Sequence, residues 1–407
     1  MSAAGPSRPP VAVHQFIPTL NPRDATGSHT LLLRDILRRA GWRSEIFAEA
    51  IHDDLAAEAY KHWTYPDQAA AGDVAIYQFS TSSVVASFLA ERTEPLIVDF
   101  HNFTAPEYFR GWEPHSEERA ARARDDLALL AHRAELGLAD SRFNERDLRR
   151  AGYHRTTVIP VLVDYRRVGT GPGLGAGPGV GVGVGVGVGP SPDRRVAAEL
   201  AAAKARGGTD FLFVGRLVPS KGQHQLVAAL WAYRRLYDPA ARLHLVGGSS
   251  SFAYLKALRG FIADLGLVDA VRITGDVSDA ALAAYFGAAD AYLSLSAHEG
   301  FGVPLVEAMA AGVPVVARRV GAVAETVGDA ALLLDGTDPA YVAAALHRVV
   351  ADASLRRLLT DAGRRRLPAF GLDAVAPQLV EAVASVAGPP PGPPPGASPG
   401  ASPGAPR

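Results

Sequence analysis

The sequence predicts an α/β fold with two doubly wound domains that face a central cleft. Short apolar runs alternate with longer amphipathic segments along most of the chain, which is typical of parallel sheets covered by helices on both faces. A tract of glycine, valine and proline interrupts this alternation after residue 168, and the alternation then restarts. With 407 residues, of which 48% are hydrophobic, the chain is long enough to build two cores of ordinary domain size.

The first half of the chain, residues 1–168, is predicted to form an N-terminal domain. Strands are expected at the apolar runs 11–17, 74–79, 96–100 and 157–161, and helices at 28–40, 84–89 and 119–134. The helix over 28–40 places leucine and isoleucine on one side and arginine on the other. Arg34, Arg38, Arg39 and Arg43 are therefore interpreted as a solvated face, with a weak contact to anionic lipid as the alternative.

Two segments of low complexity flank the second half. Residues 169–208 are interpreted as a linker rich in glycine, valine and proline, in which valine and glycine alternate strictly over 180–189. A strand is the alternative, but glycine at every second position costs backbone entropy and leaves one face with nothing to pack. Residues 388–407 repeat Pro-Pro-Gly and Ala-Ser-Pro-Gly units and are expected to be disordered.

The second half, residues 209–370, is predicted to form the C-terminal domain, and residues 371–387 a helix that returns to the first domain. Strands are expected at 211–214, 243–246, 271–274, 290–295 and 313–317, and helices at 220–237, 252–265, 279–287 and 304–311. Ligands of such sheets bind at the carboxyl ends of the strands. The chemistry is therefore expected at those ends, in the cleft between the two domains.

Composition excludes several classes of protein. The formal net charge is −1, which gives no electrostatic argument for nucleic acid. The sequence contains no cysteine, which excludes disulfides and thiol catalysis. The first residues lack a signal-peptide core, and no run approaches about 18 uncharged apolar residues, so we expect a cytoplasmic protein without a spanning helix.

A first motif follows the strand predicted at 211–214. Gly215 lets a ligand approach the main chain, Arg216 and Lys221 supply two cations, and Ser220 is expected to cap the next helix. Cations beside the free N–H groups of a helix start suit a pyrophosphate. An ordinary surface turn is the alternative, because the motif is neither a Walker loop nor a Gly-x-Gly-x-x-Gly sequence.

A second motif, residues 297–309, contains two carboxylates on either side of a glycine-flanked turn. Glu299 precedes Gly300, Phe301 and Gly302, and Glu307 lies one turn inside a helix that begins near Pro304. A carboxylate near a helix start stabilises the helix by about 0.3–1 kcal/mol through the helix dipole. This effect alone is the structural alternative for Glu307. Because small residues and glycines surround both acids, we favour acceptors for sugar or ribose hydroxyls.

These motifs together resemble the signature of the family 4 retaining glycosyltransferases, which have two Rossmann-like domains in the GT-B arrangement and carry the glycosyl transferases group 1 domain. The resemblance is strong over about 211–335, where residues 275–279 also match. It is weaker in the first half, where residues 24–29, 77–83, 99–104 and 139–144 are similar to a bacterial branch with mannosyltransferases. This branch often has histidine in place of Gln78 and asparagine in place of Ser28.

The resemblance implies a role for each matching residue. Arg216 and Lys221 would hold the donor diphosphate, Glu299 would bind hydroxyls of the donor sugar, and Glu307 would hold the ribose. His101 would face the transferred sugar and the acceptor; an ordinary loop histidine is its structural alternative. The residues implied to approach the donor through the main chain are Gly27, Gly215, Gly300, Phe301, Gly302 and Val303.

The implied reaction moves a hexose from a nucleotide diphosphate sugar, GDP-mannose or a UDP-hexose, to an acceptor hydroxyl with retention at the anomeric carbon. A glycan or lipid-linked acceptor of the cell surface is expected. No Asp-x-Asp triplet occurs, so we expect Arg216 and Lys221 to take the place of a metal, and no cofactor. His14, His29, His224 and His244 have no partner at metal-ligand spacing and are given structural roles, whereas His298 either contacts the sugar or ends a strand.

Two other classes of function stay open at this point. A GT-B epimerase or phosphorylase shares the two-domain plan, although no convincing lysine for pyridoxal phosphate is found. A non-catalytic nucleotide-sugar-binding protein is the second alternative. The intact set of Arg216, Lys221, Glu299 and Glu307 argues for an enzyme, because a retired site is expected to lose its charges.

Overall fold

The computed structural model describes residues 11–22, 24–67, 69–70, 72–168 and 191–392. Within these residues the chain forms two parallel sheets, each covered by helices, as predicted. The Val-Gly alternation of the predicted linker and most of the predicted disordered tail lie outside the described residues.

The first domain is built on a seven-stranded parallel sheet in the order β3-β2-β1-β4-β5-β6-β7. Its strands are β1 Val13–Leu20, β2 Ile46–Ile51, β3 Tyr60–Lys61, β4 Val74–Phe79, β5 Leu96–Phe100, β6 Ala134–Ala139 and β7 Thr156–Val158. Its helices are α1 Ala25–Ala40, α2 Val84–Ala90, α3 Pro114–Ala131 and α4 Arg142–Ala151. Strands β4 and β5 are buried along their whole length, as expected for central strands covered on both faces.

The arginines of α1 correct one expectation. Arg34 is only 9% exposed, and its guanidinium pairs with Glu58 at 2.8 Å, so it does not belong to a solvated face. Arg38 is more exposed and pairs with Glu45 at 2.8 Å. The acids outside α1 that pair with these arginines, Glu45 and Glu58, lie just before β2 and just before β3. A helical period alone therefore could not reveal them.

The predicted linker over 169–208 is wrong for its last third, because helix α5, Arg194–Ala205, lies within it. The carboxylate of Asp193 caps this helix by accepting from the N–H groups of Arg195 and Val196. Val196 and Leu200, one helical turn apart, are buried in the core of the second domain. This i, i+4 pair is the signal that the neighbouring glycine-rich tract obscured.

The second domain is built on a six-stranded parallel sheet in the order β10-β9-β8-β11-β12-β13. Its strands are β8 Asp210–Val214, β9 Arg242–Val246, β10 Val271–Gly275, β11 Ala291–Ser294, β12 Val315–Arg318 and β13 Ala331–Leu334. The helices after α5 are α6 Gln223–Leu236, α7 Phe252–Asp264, α8 Asp279–Ala288, α9 Val303–Ala310, α10 Val323–Val327, α11 Pro339–Ala351, α12 Ala353–Arg366 and α13 Leu372–Ala387.

The last helix, α13, packs on the first domain. Leu372, Val375, Leu379 and Val383 share a core cluster with β1 and α1. Among the described residues, the stretch Ala353–Ala387 is long and apolar enough to cross a membrane by length and composition alone, contrary to the expectation of no such segment. It contains α12, a 3-10 turn at Leu367–Phe370 and α13, and the apolar face of α13 is used inside the fold.

Candidate functional site

The candidate site begins where the strand order of the second sheet reverses. From the adjacent strands β8 and β11 the chain proceeds toward opposite edges, which opens a crevice at their carboxyl ends. Gly215 and Arg216 follow β8, and His298 and Glu299 follow β11. The two motifs found in the sequence therefore arise from the two strands that border this crevice.

Lys221 and Glu299 meet in this crevice. The Lys221 Nζ lies 2.7 Å from Glu299 Oε2, and the two side chains are 23% and 14% exposed. The two loops are joined at the main chain as well, since the N–H of Ala297 donates to the carbonyl of Ser220 at 2.8 Å. An ion pair that is only partly buried is stronger than one in water but can still exchange partners with a ligand.

The turn between β8 and α6 differs from the expected helix cap. Ser220 lies in a 3-10 turn, Pro219–Lys221, and Gly222 is the residue that precedes α6, without a side-chain cap. The Gln223 Nε2 instead fixes the turn by donating to the carbonyl of Arg216 at 2.8 Å. The Arg216 side chain is exposed and makes no ion pair with any residue that the structure describes. It is therefore available to an anion.

The segment that begins at Glu299 is held in place by hydrogen bonds from Ala322 and Thr326. The Ala322 N–H donates to the Glu299 carbonyl at 2.9 Å, and the Thr326 hydroxyl donates to the Phe301 carbonyl at 2.6 Å. The Phe301 ring is buried in the core, so only its main chain can serve a ligand. Gly302 then enters α9 with φ 91°, and Val303 is the first helical residue.

Tyr292 lies within the electrostatic influence of both carboxylates of the motif. Its hydroxyl donates to the carbonyl of Val214, the last residue of β8, at 3.3 Å. Burial, and then the nearby negative charges of Glu299 and Glu307, raise the pKa of Tyr292 far above its ordinary value. Glu307 is fully buried on α9. Both acids are therefore close to Tyr292 of β11, whose hydroxyl reaches the carboxyl end of β8.

On the first domain, His101 lies at the carboxyl edge of the sheet, directly after β5. Its Nδ1 is 3.1 Å from both carboxylate oxygens of Asp140, and its Nε2 is 2.6 Å from Gln78 Oε1. Burial lowers the pKa of His101, but the charges of Asp140 and Asp99 outweigh it and raise that pKa to about 9. The side chain is 4% exposed.

His29, Asp99 and His101 form the one group of potential metal ligands among the described residues. His29 Nδ1 accepts from the Leu162 N–H at 3.0 Å, so its Nε2 carries the proton that is donated to Asp99 at 2.9 Å. Neither ring nitrogen of His29 then keeps a lone pair for a metal. These contacts hold Asp99 near His101, at 3.9 Å from its Nε2.

The two domains touch beside the candidate site. Asn102, in the left-handed region at φ 70°, accepts with its Oδ1 from the Phe103 N–H at 2.6 Å and from His298 Nε2 at 3.0 Å. A Cβ at Gly300 would lie 2.7 Å from the Cβ of Asn102, which explains the glycine at this close approach. His298 is therefore a domain contact, next in sequence to Glu299.

The start of α4 forms a second contact between the domains. The Ser141 hydroxyl donates to the Gly300 carbonyl at 2.8 Å, and the Arg142 N–H donates to the carboxylate of Glu325 at 2.9 and 3.0 Å. Glu325 belongs to α10 of the second domain and caps a helix of the first. No local sequence pattern indicates this contact, because the partners are 183 residues apart.

Gly27 lies inside α1, where a structural reason already accounts for a glycine. A Cβ at this position would lie 2.4 Å from the carbonyl oxygen of Asn21, so the preceding loop already requires a glycine. The implied approach of a diphosphate to Gly27 stays a prediction. Asn102, Tyr292 and Glu325 are site residues that sequence reasoning missed; an asparagine directly after His101 was the available signal, since asparagine tolerates positive φ.

Comparison with known proteins identifies the second domain. Residues 201–366 match the model of the family described as "Glycosyl transferases group 1". The D-inositol 3-phosphate glycosyltransferase of Geodermatophilus obscurus is 37% identical over 170 residues, which are 40% of this chain and 37% of that protein. A GDP-mannose-dependent alpha-(1-6)-phosphatidylinositol monomannoside mannosyltransferase of Mycobacterium tuberculosis is 37% identical over 171 residues, which are 40% of this chain and 43% of that protein.

Solved structures extend the likeness to both domains. Anabaena Alr3699/HepE, in complex with UDP and glucose, superposes with a TM-score of 0.69 at 21% identity over 92% of this chain and 100% of that one. Sucrose-phosphate synthase from Thermosynechococcus elongatus gives 0.69 at 21% identity over 92% and 99%. The predicted GT-B fold and the resemblance to glycosyltransferases with a group 1 domain are confirmed, while the alignments to the curated relatives above span less than half of their length.

Proposed function

We propose that this chain, which carries a glycosyl transferases group 1 domain, transfers a hexose from a nucleotide diphosphate sugar to an acceptor hydroxyl with retention at the anomeric carbon. The observation that supports this most is the contact of Lys221 with Glu299 at 2.7 Å, in the crevice between β8 and β11. A cation for a phosphate and a carboxylate for hydroxyls thereby lie side by side. In a nucleotide diphosphate sugar, the phosphate that would bind the cation and the hydroxyls that would bind the carboxylate are also adjacent.

The proposed reaction depends on electrostatic stabilisation of the leaving group. Lys221 would leave Glu299 for the donor diphosphate, and exposed Arg216 would add a second charge. Glu299 would then accept from hydroxyls of the sugar, and buried Glu307 from the ribose. Charges that are already in place as the phosphate departs contribute more than mobile solvent does. A retaining transferase of this kind needs no carboxylate nucleophile of the type that retaining hydrolases use.

The donor we propose first is GDP-mannose, with a UDP-hexose as the second choice. One relative is named for dependence on GDP-mannose, and one structural neighbour holds UDP and glucose. The acceptor we propose is a hydroxyl of a cell-surface glycan or glycolipid, since one relative is named for a phosphatidylinositol mannoside, which is a glycolipid.

Thermal unfolding with a panel of GDP- and UDP-sugars tests the donor. A ligand at 100 times its dissociation constant stabilises the folded state by about 2.7 kcal/mol, which raises the melting temperature measurably. The donor that gives a shift is then incubated with candidate acceptors, and the anomeric configuration of the product is read by NMR. The proposal fails if no sugar in the panel shifts the melting temperature, or if the product is inverted.

We also propose that transfer is independent of metal, because Arg216 and Lys221 would both contact the diphosphate and the sequence has no Asp-x-Asp triplet. Transfer is measured in the presence of a chelator and again after addition of Mg²⁺ or Mn²⁺. Full activity with the chelator is expected. Loss of activity that either ion restores contradicts the proposal.

A cytoplasmic location with weak peripheral contact to the inner face of the membrane completes the proposal. Arg38, at 42% side-chain exposure, and its neighbours on α1 would supply the contact to anionic lipid. Flotation with vesicles of anionic and of neutral lipid measures it, and equal recovery with both vesicles would exclude the contact.

A further inference from the structure

We propose that His101 is held as an imidazolium at physiological pH by two glutamine amides, Gln15 and Gln78, and by the carboxylate of Asp140. His101 is then a fixed cation at the edge of the first domain. It cannot take a proton from an acceptor. Gln15 and Gln78 are positioning residues, and Gln15 acts on His101 without touching it.

The orientation of both amides follows from a main-chain carbonyl. The Gln15 Nε2 donates to the carbonyl of Thr30 at 3.0 Å, which fixes the Gln15 Oε1 on the opposite side. This oxygen accepts from the Gln78 Nε2 at 2.9 Å. The Gln78 Oε1 must then face His101, at 2.6 Å from its Nε2. Because an amide oxygen only accepts, the His101 Nε2 must carry a proton.

The second ring nitrogen is protonated for a separate reason. The His101 Nδ1 lies 3.1 Å from both oxygens of Asp140. A protonated carboxyl group has a single O–H and cannot donate from both oxygens, so the symmetric contact indicates a carboxylate that accepts an N–H. A bare nitrogen lone pair facing two carboxylate oxygens would be repelled. Both nitrogens are therefore donors, which defines the imidazolium.

The surroundings of the ring support a positive charge from several elements. Asp99 of β5 lies 3.9 Å from the His101 Nε2. Asp140 directly follows β6, and Asp24 caps α1. The His29 ring lies 4.9 Å away, edge-on, and its Nδ1 accepts from the main chain, so it is read as neutral. β4 contributes the neutral Gln78. Carboxylates outnumber cations around the ring.

The glutamine chain has no freedom to reverse. Gln15 and Gln78 are both fully buried, with exposures of 0%. If Gln78 turned its amide over, its NH₂ group would face the His101 Nε2 and its oxygen would face the oxygen of Gln15. A buried polar pair left without a bond is strongly disfavoured. The carbonyl of Thr30 therefore determines the protonation state of His101 through the side chains of Gln15 and Gln78.

Resting on the proposed function, this assignment decides how the acceptor loses its proton. The bond that forms joins the acceptor oxygen to the anomeric carbon, and the bond that breaks joins that carbon to the phosphate oxygen. The acceptor proton passes to the departing phosphate, since His101 has no free lone pair. The imidazolium belongs to the first domain, whereas Lys221 belongs to the second.

The charge itself is tested by NMR on ¹⁵N-labelled protein, without turnover. The ring signals of His101 are identified by their loss in His101→Asn. At about pH 8, where an ordinary histidine is neutral, both nitrogens of His101 are expected to carry protons. A neutral ring in the wild type at that pH overturns the proposal.

Two variants test the glutamine chain. In Gln15→Met, Gln78 is free to turn over, so the titration midpoint of His101 is expected to fall by at least one pH unit, a tenfold change in the protonation constant. Gln378→Met, an exposed substitution of the same type on α13, is the control and should leave the midpoint unchanged. An unchanged midpoint in folded Gln15→Met overturns the role of Gln15.

The second variant, Gln78→Glu, keeps the shape and adds a negative acceptor, so the His101 midpoint should rise; a fall overturns the assignment even if Gln15→Met does not fold. These readouts also separate the two proposals. Doubly protonated His101 without sugar transfer rejects the proposed function only. Transfer with a neutral His101 rejects only the fixed cation.

Discussion

The two sides of the candidate site are built differently. On the second domain, Lys221 and Glu299 lie on loops that follow adjacent strands, and both are partly exposed. On the first domain, His101 has partners from β4 and from the end of β6, and all of them are buried. One side offers a pair of charges that a ligand can separate. The other side offers a charge that is locked in place.

The difference follows from burial. A partly exposed ion pair contributes little to stability, because water and the ligand compete for both charges. A buried ion pair is strongly destabilising to break, because the remaining charge has no solvent. We therefore expect substitutions on the second domain to affect turnover with little effect on folding, and those around His101 to affect folding first.

The largest expected effect on stability is that of Asp140→Ala. It leaves His101 without its main counter-charge in a buried position, which costs about 3–5 kcal/mol of the free energy of unfolding. Urea denaturation measures this, with Asp329→Ala, an exposed acid of the second domain, as the control. Equal midpoints for the two variants would show that the His101 pair is not locked, and the comparison would break.

Lys221→Ala should produce the largest effect on turnover. Removal of one preorganised donor at the leaving oxygen is expected to lower kcat/KM by about 10²–10³, with a small change in melting temperature. Lys256→Ala, an exposed lysine on α7, is the matched control. A variant at Lys221 that loses stability as well as activity would place the two sides in the same class.

The pH dependence of stability sharpens the comparison. The pKa of His101 is raised from an ordinary value of 6.5 to about 9 in the folded state. Its contribution is therefore fully present below pH 6.5 and is lost as the pH rises through 9, at up to about 1.4 kcal/mol per pH unit between the two values. Denaturation of the wild type and of His101→Asn across this range should show the loss in the wild type alone.

The same difference explains what could be read from the sequence. The loops of Lys221 and Glu299 are local motifs at strand ends, so their residue types and spacing were sufficient to bring them together. The partners of His101 come from strands that become adjacent only when the sheet forms. The sequence alone does not reveal which residues of those strands lie side by side. The parallel sheets followed from periodicity. Helix α5 was missed because its short apolar pair follows a glycine-rich tract.

The contact between the domains gives the smallest expected effect. Glu325 caps α4 across the interface by accepting from the Arg142 N–H, and a cap is worth about 0.5–2 kcal/mol. Glu325→Gln keeps an acceptor and should be nearly neutral, whereas Glu325→Ala should favour a more open arrangement. Small-angle scattering of both variants measures the radius of gyration.

A larger radius for Glu325→Ala than for Glu325→Gln is the expected result, because only the alanine variant lacks a side-chain acceptor for the Arg142 N–H. The same variant should bind a donor sugar more weakly while His101 keeps its charge, since the cap touches neither side of the site. If instead the charge of His101 changed with Glu325→Ala, the locked side would depend on domain closure. The two sides of the cleft would then be coupled, and their contrast in burial would no longer account for their different chemistry.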